Sequence, residues 1–267
     1  MAPIATRTSS YILCAFRKAI TVYTENGDPT LLEIEEYSPL KPPGPAEIQI
    51  EQPPHDCPLC PRLVEYRHAN QHSNPDWFNG PVPSLGNLNA PILIVGMAPG
   101  VRGANRTGRP FTGDHAGVLL YETLIRFHLA TGTYDARPDD GMQLHGCRVA
   151  NAVRCVPPAN LPQPVEVRTC NQFLTAELKA LPHLRAVLAL GVLAHAAVLR
   201  ACGIPPTRIR FRHGEIFELP DGLLLANSYH VSRYNTNTGL LTREMFEEVV
   251  FNLIQRVAPD LPGTPPS

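Results

Sequence analysis

The stretch PILIVGMAPGVRGANRTGRPFTGD, residues 91–114, joins an apolar run to a loop rich in glycine and arginine. The apolar run, Ile92 to Gly96, is bounded by Pro91 and is typical of a buried strand. Gly96 to Asp114 then holds five glycines and three arginines in nineteen residues, so we expect a loop that approaches a phosphate-bearing ligand. The loop lacks both the GxxxxGKS/T and the GxGxxG signatures, which argues against a kinase or dinucleotide site.

Apolar runs that suit strands recur along the chain and alternate with segments that suit helices. The further strand-like runs are Arg148 to Val153, Ala186 to Leu190 and Leu223 to Asn227. The helix-like segments are Gly117 to Ala130, Pro164 to Leu181, Gly191 to Cys202 and Thr242 to Val257, with Thr242 as a plausible N-cap. This alternation predicts an α/β fold with a parallel sheet and helices on both faces. Its ligand site should lie beyond the carboxyl ends of the strands.

The proline-rich stretch 38–54 cannot propagate a helix or join a central strand, so it predicts a linker. We therefore expect residues 1–54 to be an extension and linker without regular structure. One domain should follow over residues 55–258, and the proline-rich residues 259–267 should form a frayed tail.

The net charge of -1 gives no global attraction to nucleic acid, so DNA binding would need a local basic surface. No stretch approaches the roughly 18 apolar residues of a membrane helix. Seven cysteines without a secretory signal argue against a disulfide framework and for thiol chemistry or metal binding. We expect a cytoplasmic protein.

Four cysteines form two pairs, one tight and one wide. Cys57 and Cys60 form a CxxC, whereas fourteen residues separate Cys155 from Cys170. The wide second pair fits zinc poorly and an iron-sulfur cluster better, because four thiolates are the usual ligands of [4Fe-4S]. The remaining cysteines, Cys14, Cys147 and Cys202, receive no role.

The motifs GMAPG, GANRTGRPFTGD, NAVRCVPPAN and SYHVSRYNTNTG, with the four-cysteine pattern, resemble the iron-sulfur branch of the uracil-DNA glycosylase superfamily. The resemblance is strongest to its family 5 and covers roughly residues 55–258. It implies a three-layer α/β/α sandwich around a short central parallel sheet. It also implies a monomer with a [4Fe-4S] cluster on Cys57, Cys60, Cys155 and Cys170.

The activity that the resemblance implies is hydrolysis of the N-glycosidic bond of a damaged nucleotide flipped out of double-stranded DNA, which leaves an abasic site. Uracil would be a substrate, and so would deaminated purines such as hypoxanthine and xanthine. The resemblance gives His230 the role of hydrogen-bonding the pyrimidine O2, where a donor meets charge that develops in the transition state.

Two polar residues are candidates for orienting the attacking water. Many relatives place an acid or amide in the first motif, but this chain has Met97 and Ala98 there. Asp114 is the best replacement, although it could equally N-cap the helix that follows, and both roles could hold. Asn160 is the second candidate and ranks below Asp114.

The base would be bound by the first motif and by two further side chains. Gly96 and Met97 belong to that motif, and Phe111 corresponds to the aromatic residue on which the base stacks. Asn151 matches the asparagine that reads the uracil edge, since an amide can donate and accept against O4 and N3. Family 5 enzymes often have a small residue there, so Asn151 would narrow specificity towards uracil.

The loop after the last strand matches the segment that enters the DNA helix, unless it is a solvated turn. Its residues are Ser232, Arg233, Tyr234 and Asn235. Phosphate contacts would come from Arg106 and Arg109, helped by Arg102 and the cluster of Arg208, Arg210 and Arg212.

Three other functions stay open. A family 4 enzyme confined to uracil would carry an acid where this chain has Met97. A catalytically silent binder of damaged DNA would leave His230 and Asp114 without a purpose. A redox protein would leave the glycine-arginine loop unexplained.

Overall fold

The computed structural model describes residues 19–23, 29–33 and 50–257. The chain divides into two units, residues 1–47 and 48–267. In the first unit, strands β1 (Ala19–Tyr23) and β2 (Pro29–Glu33) pair antiparallel. This strand pair within the extension was not predicted. Cys14, most of the predicted linker and the tail 259–267 lie outside the described residues.

The second unit is built on a six-stranded sheet with four parallel strands at its centre. In spatial order its strands are β3 (Leu85–Gly86), β7 (Cys147–Asn151), β4 (Ile92–Gly96), β8 (Ala186–Leu190), β10 (Leu224–Ser228) and β9 (Ile216–Glu218). The two short outer strands are antiparallel to their neighbours. The predicted parallel sheet is therefore confirmed, with the β4 and β8 bounds as expected.

Helices cover both faces of this sheet. They are α1 (Pro61–Ser73), α2 (Ala104–Thr107), α3 (His115–Arg126), α4 (Pro164–Ala180), α5 (Val192–Ala201), α6 (Arg233–Asn237) and α7 (Arg243–Val257). Leu120 of α3 and Phe246 of α7 belong to one buried cluster, whereas Phe173 of α4 and Val198 of α5 belong to another. The inner strands are buried throughout because helices cover both faces, and the result is the expected three-layer sandwich.

Helix ends follow the capping chemistry of the sequence. The Thr242 hydroxyl accepts the backbone N–H of Met245 at 3.2 Å, which confirms the predicted cap of α7. Helix α1 was not predicted from the sequence, because two of the three residues on its buried side, Arg67 and Asn70, are polar and show no apolar pattern. Among the described residues, no helix is both long and apolar enough to cross a bilayer.

A buried ion cluster fastens β7 to α4. The carboxylate of Glu177 on α4 accepts the Arg148 guanidinium at 2.6 Å and also that of Arg154. Ser84 donates its hydroxyl to the same carboxylate at 2.8 Å. Two cations therefore compensate the charge of one buried carboxylate, and a hydroxyl adds a third hydrogen bond, beside the strand that leads to Cys155.

Candidate active site

A pocket of about 970 Å³ opens at the carboxyl edge of the parallel strands. Strand β4 lies between β7 and β8, so the chain crosses from one side of β4 to the other after β7. Such a switch point is where α/β sheets bind ligands. The pocket is lined by the segments that follow β4, β8 and β10, including Met97, Gly191 and His230. The site therefore lies where the strand pattern predicted.

A small recess adjoins this pocket and brings four predicted residues together: Phe111, Asp114, Asn151 and His230. The rings of Phe111 and His230 lie 6.1 Å apart between centroids and are tilted by 29°. A Cβ on Gly96 would stand 2.3 Å from Cζ of Phe111 and 2.5 Å from Oδ1 of Asn151. Glycine at this strand end leaves room for both the ring and the amide.

Two of the candidate residues have left-handed backbones. Phe111 has φ +51°, and Asn160 has φ +55° directly after Ala159 at +54°. A bulky residue in this region is unusual, and such conformations cost about 1–3 kcal/mol each. The surrounding structure must hold them, as is common around active sites.

His230 is half-buried in the recess, and burial lowers the pKa of its imidazole to about 4. The ring is therefore neutral near pH 7, with one nitrogen donating and the other accepting. The side-chain amide of Asn235 donates to the His230 backbone carbonyl at 2.8 Å and fixes the start of this loop. Sequence reasoning placed Asn235 at the DNA, but its amide is directed at the His230 backbone.

The carboxylate of Asp114 has two oxygens with different surroundings. Oδ1 accepts the backbone N–H of Ala116 at 3.1 Å, so the expected cap of α3 is confirmed. Oδ2 lies in the space left by two glycines, since a Cβ on Gly103 would be 2.2 Å away and one on Gly100 2.8 Å away. Burial raises the pKa of Asp114. Oδ1 is occupied by the helix cap. That Oδ2 orients a water stays a prediction.

Three further predicted residues line the main pocket or the recess. Met97 and Asn160 line the main pocket, and Asn160 is exposed in the loop after Cys155. Asn151 is buried at the end of β7 and lines the recess. Their proposed contacts with a base or water stay predictions.

Arg109 does not form part of the basic surface, so its predicted phosphate contact is wrong. Its side chain is buried, with the residue 7% exposed, and both Asp140 oxygens accept its N–H groups at 2.7 Å. The guanidinium also lies over the rings of Tyr121 and Tyr134, at 5.7 and 5.8 Å. A paired and desolvated cation cannot also contact a phosphate. Arg106 is exposed, so its DNA contact stays a prediction.

The loop after β10 forms the short helix α6 rather than an open turn. The Ser232 hydroxyl caps this helix by accepting the Asn235 N–H at 3.4 Å. Arg233 and Tyr234 point outwards, with Tyr234 73% exposed. These two side chains are available to a DNA partner, whereas Ser232 and Asn235 form local hydrogen bonds.

The four predicted ligand cysteines line one small cavity. Buried Arg67 donates to Sγ of Cys155 at 3.6 Å and to the Cys57 carbonyl at 3.2 Å. The backbone N–H of Arg154 donates to Sγ of Cys170 at 3.3 Å. Burial, followed by the nearby charges of Cys170, Glu166 and Cys57, raises the pKa of Cys60 to about 11. The thiols are thus neighbours, and Arg67, which the sequence analysis missed, lies among them.

Two hydrogen-bond donors, Arg67 and Arg154, reach sulfur atoms in this cavity. Such donors are compatible with thiolate ligands of an iron-sulfur cluster. Across the described residues, no three His, Cys, Asp or Glu side chains are grouped as ligands of one metal ion. The [4Fe-4S] cluster on the four cysteines stays a prediction.

A recess with an aromatic ring, an amide and a histidine, at the carboxyl edge of a parallel sheet, defines an α/β protein with a candidate ligand site at its switch point. Residues 83–254 match the model of the Uracil DNA glycosylase superfamily. A type-5 uracil-DNA glycosylase of Thermus thermophilus is 46% identical over 200 residues, which are 73% of this chain and 90% of that protein.

Two further relatives place the chain within the superfamily. A type-5 enzyme of Pyrobaculum aerophilum is 41% identical over 73% of this chain and 86% of its own length. A type-4 uracil-DNA glycosylase of Archaeoglobus fulgidus is 31% identical over 52% of this chain and 62% of its own. The chain belongs to the uracil-DNA glycosylase superfamily, in its type-5 branch.

Proposed function

We propose that this protein is a DNA repair glycosylase that hydrolyses the N-glycosidic bond of uracil in DNA and leaves an abasic site. The observation that carries the proposal is the convergence of Phe111, Asp114, Asn151 and His230 in one recess. The type-5 relatives that cover most of the chain are named for this activity. Their names support uracil as the first substrate to test.

His230 stabilises the leaving base. As the bond between the sugar C1′ and the base nitrogen breaks, the base leaves with a negative charge that is shared by its O2. The imidazole is neutral at pH 7 because burial lowers its pKa, so it offers one N–H to that oxygen. This hydrogen bond strengthens as charge develops, and it therefore favours the transition state over bound substrate.

Asp114 orients the water that adds to C1′. Its Oδ2, next to Gly100 and Gly103, accepts a hydrogen bond from the water while Oδ1 remains on the helix cap. Asn160 on the opposite loop supplies an amide to the same water. The water oxygen forms the new bond to C1′, the base takes the electron pair of the broken bond, and the proton passes to the carboxylate or solvent.

Base recognition combines stacking with an edge contact. Phe111 offers its ring face, and Asn151 offers an amide that can pair with O4 and N3 of uracil. The recess shares Ala98, Gly100, Asp114 and His230 with the larger pocket, so it is open on that side. We therefore include the bulkier deaminated bases hypoxanthine and xanthine among the substrates.

The base reaches this recess by leaving the double helix. Arg233 and Tyr234 project from the pocket rim and fill the gap that the flipped nucleotide leaves, while exposed Arg106 contacts phosphate. We expect the active form to be a monomer.

The cofactor in this proposal is a [4Fe-4S] cluster held by Cys57, Cys60, Cys155 and Cys170. When bound, it would fasten three chain segments together and could exchange one electron. The six cysteines that the structure describes are free thiols, as a reducing cytoplasm would keep them. Iron and sulfide content, with the visible absorption of anaerobically purified protein, tests the cluster; Cys170→Ser should lower all three.

The activity is tested with oligonucleotide duplexes that contain either uracil or hypoxanthine, under anaerobic conditions. Wild type is compared with His230→Ala and Asp114→Ala, and with matched controls at exposed positions, His68→Ala and Asp139→Ala. We expect wild type and both controls to release both bases. Each active-site variant should be slower by about 100-fold or more.

Other results of this assay would change the proposed substrate range, the role of Asp114 or the enzyme activity itself. Release of uracil alone would restrict the substrate range and make Asn151 its reader. Full activity of Asp114→Ala would remove this residue from the chemistry and leave its helix cap. Absence of base release from cluster-loaded wild type, with damaged DNA still bound, would replace the enzyme with a binding protein.

A further inference from the structure

A small hairpin packs behind Phe111 without lining the recess. Its strands are β5 (Ala130–Thr131) and β6 (Gln143–Leu144), and the segment between them carries Tyr134 and Asp140. Neither side chain lines the recess or the main pocket. Both are nevertheless bonded to residues 109–112, so the hairpin acts on the site through that segment.

Three successive backbone carbonyls in this segment each accept a hydrogen bond from a side-chain hydroxyl of a different residue. The pairs are Tyr121 to Pro110 at 2.6 Å, Tyr134 to Phe111 at 3.0 Å and Thr107 to Thr112 at 3.0 Å. Phe111, at φ +51°, is the middle residue. The carbonyls of Pro110 and Phe111 belong to the two peptide planes that flank the Phe111 Cα, so their hydrogen bonds to Tyr121 and Tyr134 oppose a rotation to negative φ.

Tyr134 is itself held by buried charge. The guanidinium of Arg109 lies 5.8 Å from its ring centre and pairs through two bonds with Asp140. Asp140 also accepts the backbone N–H groups of the hairpin residues Asp135 and Met142, at 3.0 and 3.1 Å. The hairpin, the cation and the tyrosine therefore form one rigid group.

Gly117 at the start of α3 leaves room for this arrangement. A Cβ there would lie 1.9 Å from the Phe111 carbonyl oxygen and 2.1 Å from the Tyr134 hydroxyl. The hydrogen bond between these two groups thus occupies the space of a missing side chain. A larger residue at position 117 would separate the Tyr134 hydroxyl from the Phe111 carbonyl.

We propose that Tyr134 is a positioning residue, whose hydroxyl holds the Phe111 backbone in its left-handed conformation and thereby sets the ring that stacks on the base. The inference rests on the proposed function, in which Phe111 is the stacking surface. The ring fills the space above Gly96 and faces His230, so a backbone rotation at Phe111 would displace it from both.

The test is a double-mutant cycle. Tyr134→Phe, which removes one hydroxyl, is made in wild type and in Phe111→Leu, with Tyr66→Phe as the control tyrosine on α1. Single-turnover release of uracil is measured well below the unfolding midpoint. We expect Tyr134→Phe to slow release about 10- to 100-fold in wild type, because small misplacements in a site have effects of this size. In Phe111→Leu the same change should slow it about twofold or less.

Three results would overturn this role for Tyr134. An unchanged rate in Tyr134→Phe, or an equal loss in both backgrounds, would show that the hydroxyl does not act through Phe111. Crystal structures test the proposal without an activity assay. Phe111 should adopt a negative φ in Tyr134→Phe, and a φ still near +51° would overturn the proposal. Wild type that releases no uracil would overturn the proposed function, whereas the crystal structure would still test the hairpin.

Discussion

The loops after β4 and after β10 both border the site and both carry arginine and aromatic residues, but these side chains lie in different surroundings. In the first loop Arg109 and Phe111 are 7% and 6% exposed, and side-chain hydrogen bonds fix the backbone. In the second, Arg233 is exposed and Tyr234 is 73% exposed. The same residue types are therefore buried and hydrogen-bonded at 109–111 in the first loop and exposed in the second, where the proposed function has them meet DNA.

Replacing Arg109 should produce the largest difference between the loops. Arg109→Met leaves the Asp140 carboxylate buried without its cation, and we expect the free energy of unfolding to fall by about 3 kcal/mol. Urea unfolding measures this change. Arg233→Met serves as the control and should change stability by less than about 0.5 kcal/mol. Equal effects of the two substitutions would contradict the distinction between the loops.

Replacing Phe111 should mainly affect catalysis. Phe111→Leu keeps an apolar side chain but loses the ring face, and stacking contributes about 1–3 kcal/mol per base. We expect single-turnover release of uracil to slow by about 10- to 100-fold. Phe251→Leu, on α7 and outside the pocket, is the control. A rate within about twofold of wild type would exclude stacking on this ring.

His230 lies near the start of the second loop. Although the residue is only half-buried, its imidazole is desolvated, which lowers its pKa. Its pKa is about 4 in the folded protein and 6.5 as a free group, so the unfolded chain takes up a proton between these values and the folded protein does not. Wild type should therefore lose stability as the pH falls from 6.5 to about 4. His230→Gln should lose less over this window in urea unfolding. Parallel curves would show that the imidazole titrates normally.

The smallest expected effect is that of an exposed cation. Arg106→Met should weaken binding to duplex DNA only severalfold, and should reduce the slope of log affinity against log salt by about one. Fluorescence anisotropy at several salt concentrations measures both quantities. An unchanged slope would mean that Arg106 does not contact phosphate. The same measurement on Arg233→Met would show whether the second loop adds a phosphate contact.

The parallel sheet could be predicted because its inner strands are buried on both faces and so appear as continuous apolar runs. The bounds of β4, residues 92–96, follow from composition alone. The position of the pocket follows from topology, and the cap of α3 follows from the chemistry of Asp114. These features depend on local sequence or on general rules of sheet geometry.

What could not be predicted depends on partners that are distant in sequence. Arg109 looks like a DNA-binding arginine until Asp140, 31 positions later, is known to pair with it. Strands β5 and β6 have two residues each, too few to show a pattern. The left-handed Phe111 has no sequence signal, because only the surrounding hydroxyl groups stabilise that backbone.

The strand order has a consequence for how the chain folds. Strand β4 is the first inner strand to be synthesised, yet it lies between β7 and β8, and Ile92 pairs with Ala186. Its apolar surface must stay uncovered until much of the chain has emerged, because contacts of long sequence separation form slowly. Nascent chains that end before β8 should therefore aggregate readily, whereas chains that include β10 have all four parallel strands available for collapse.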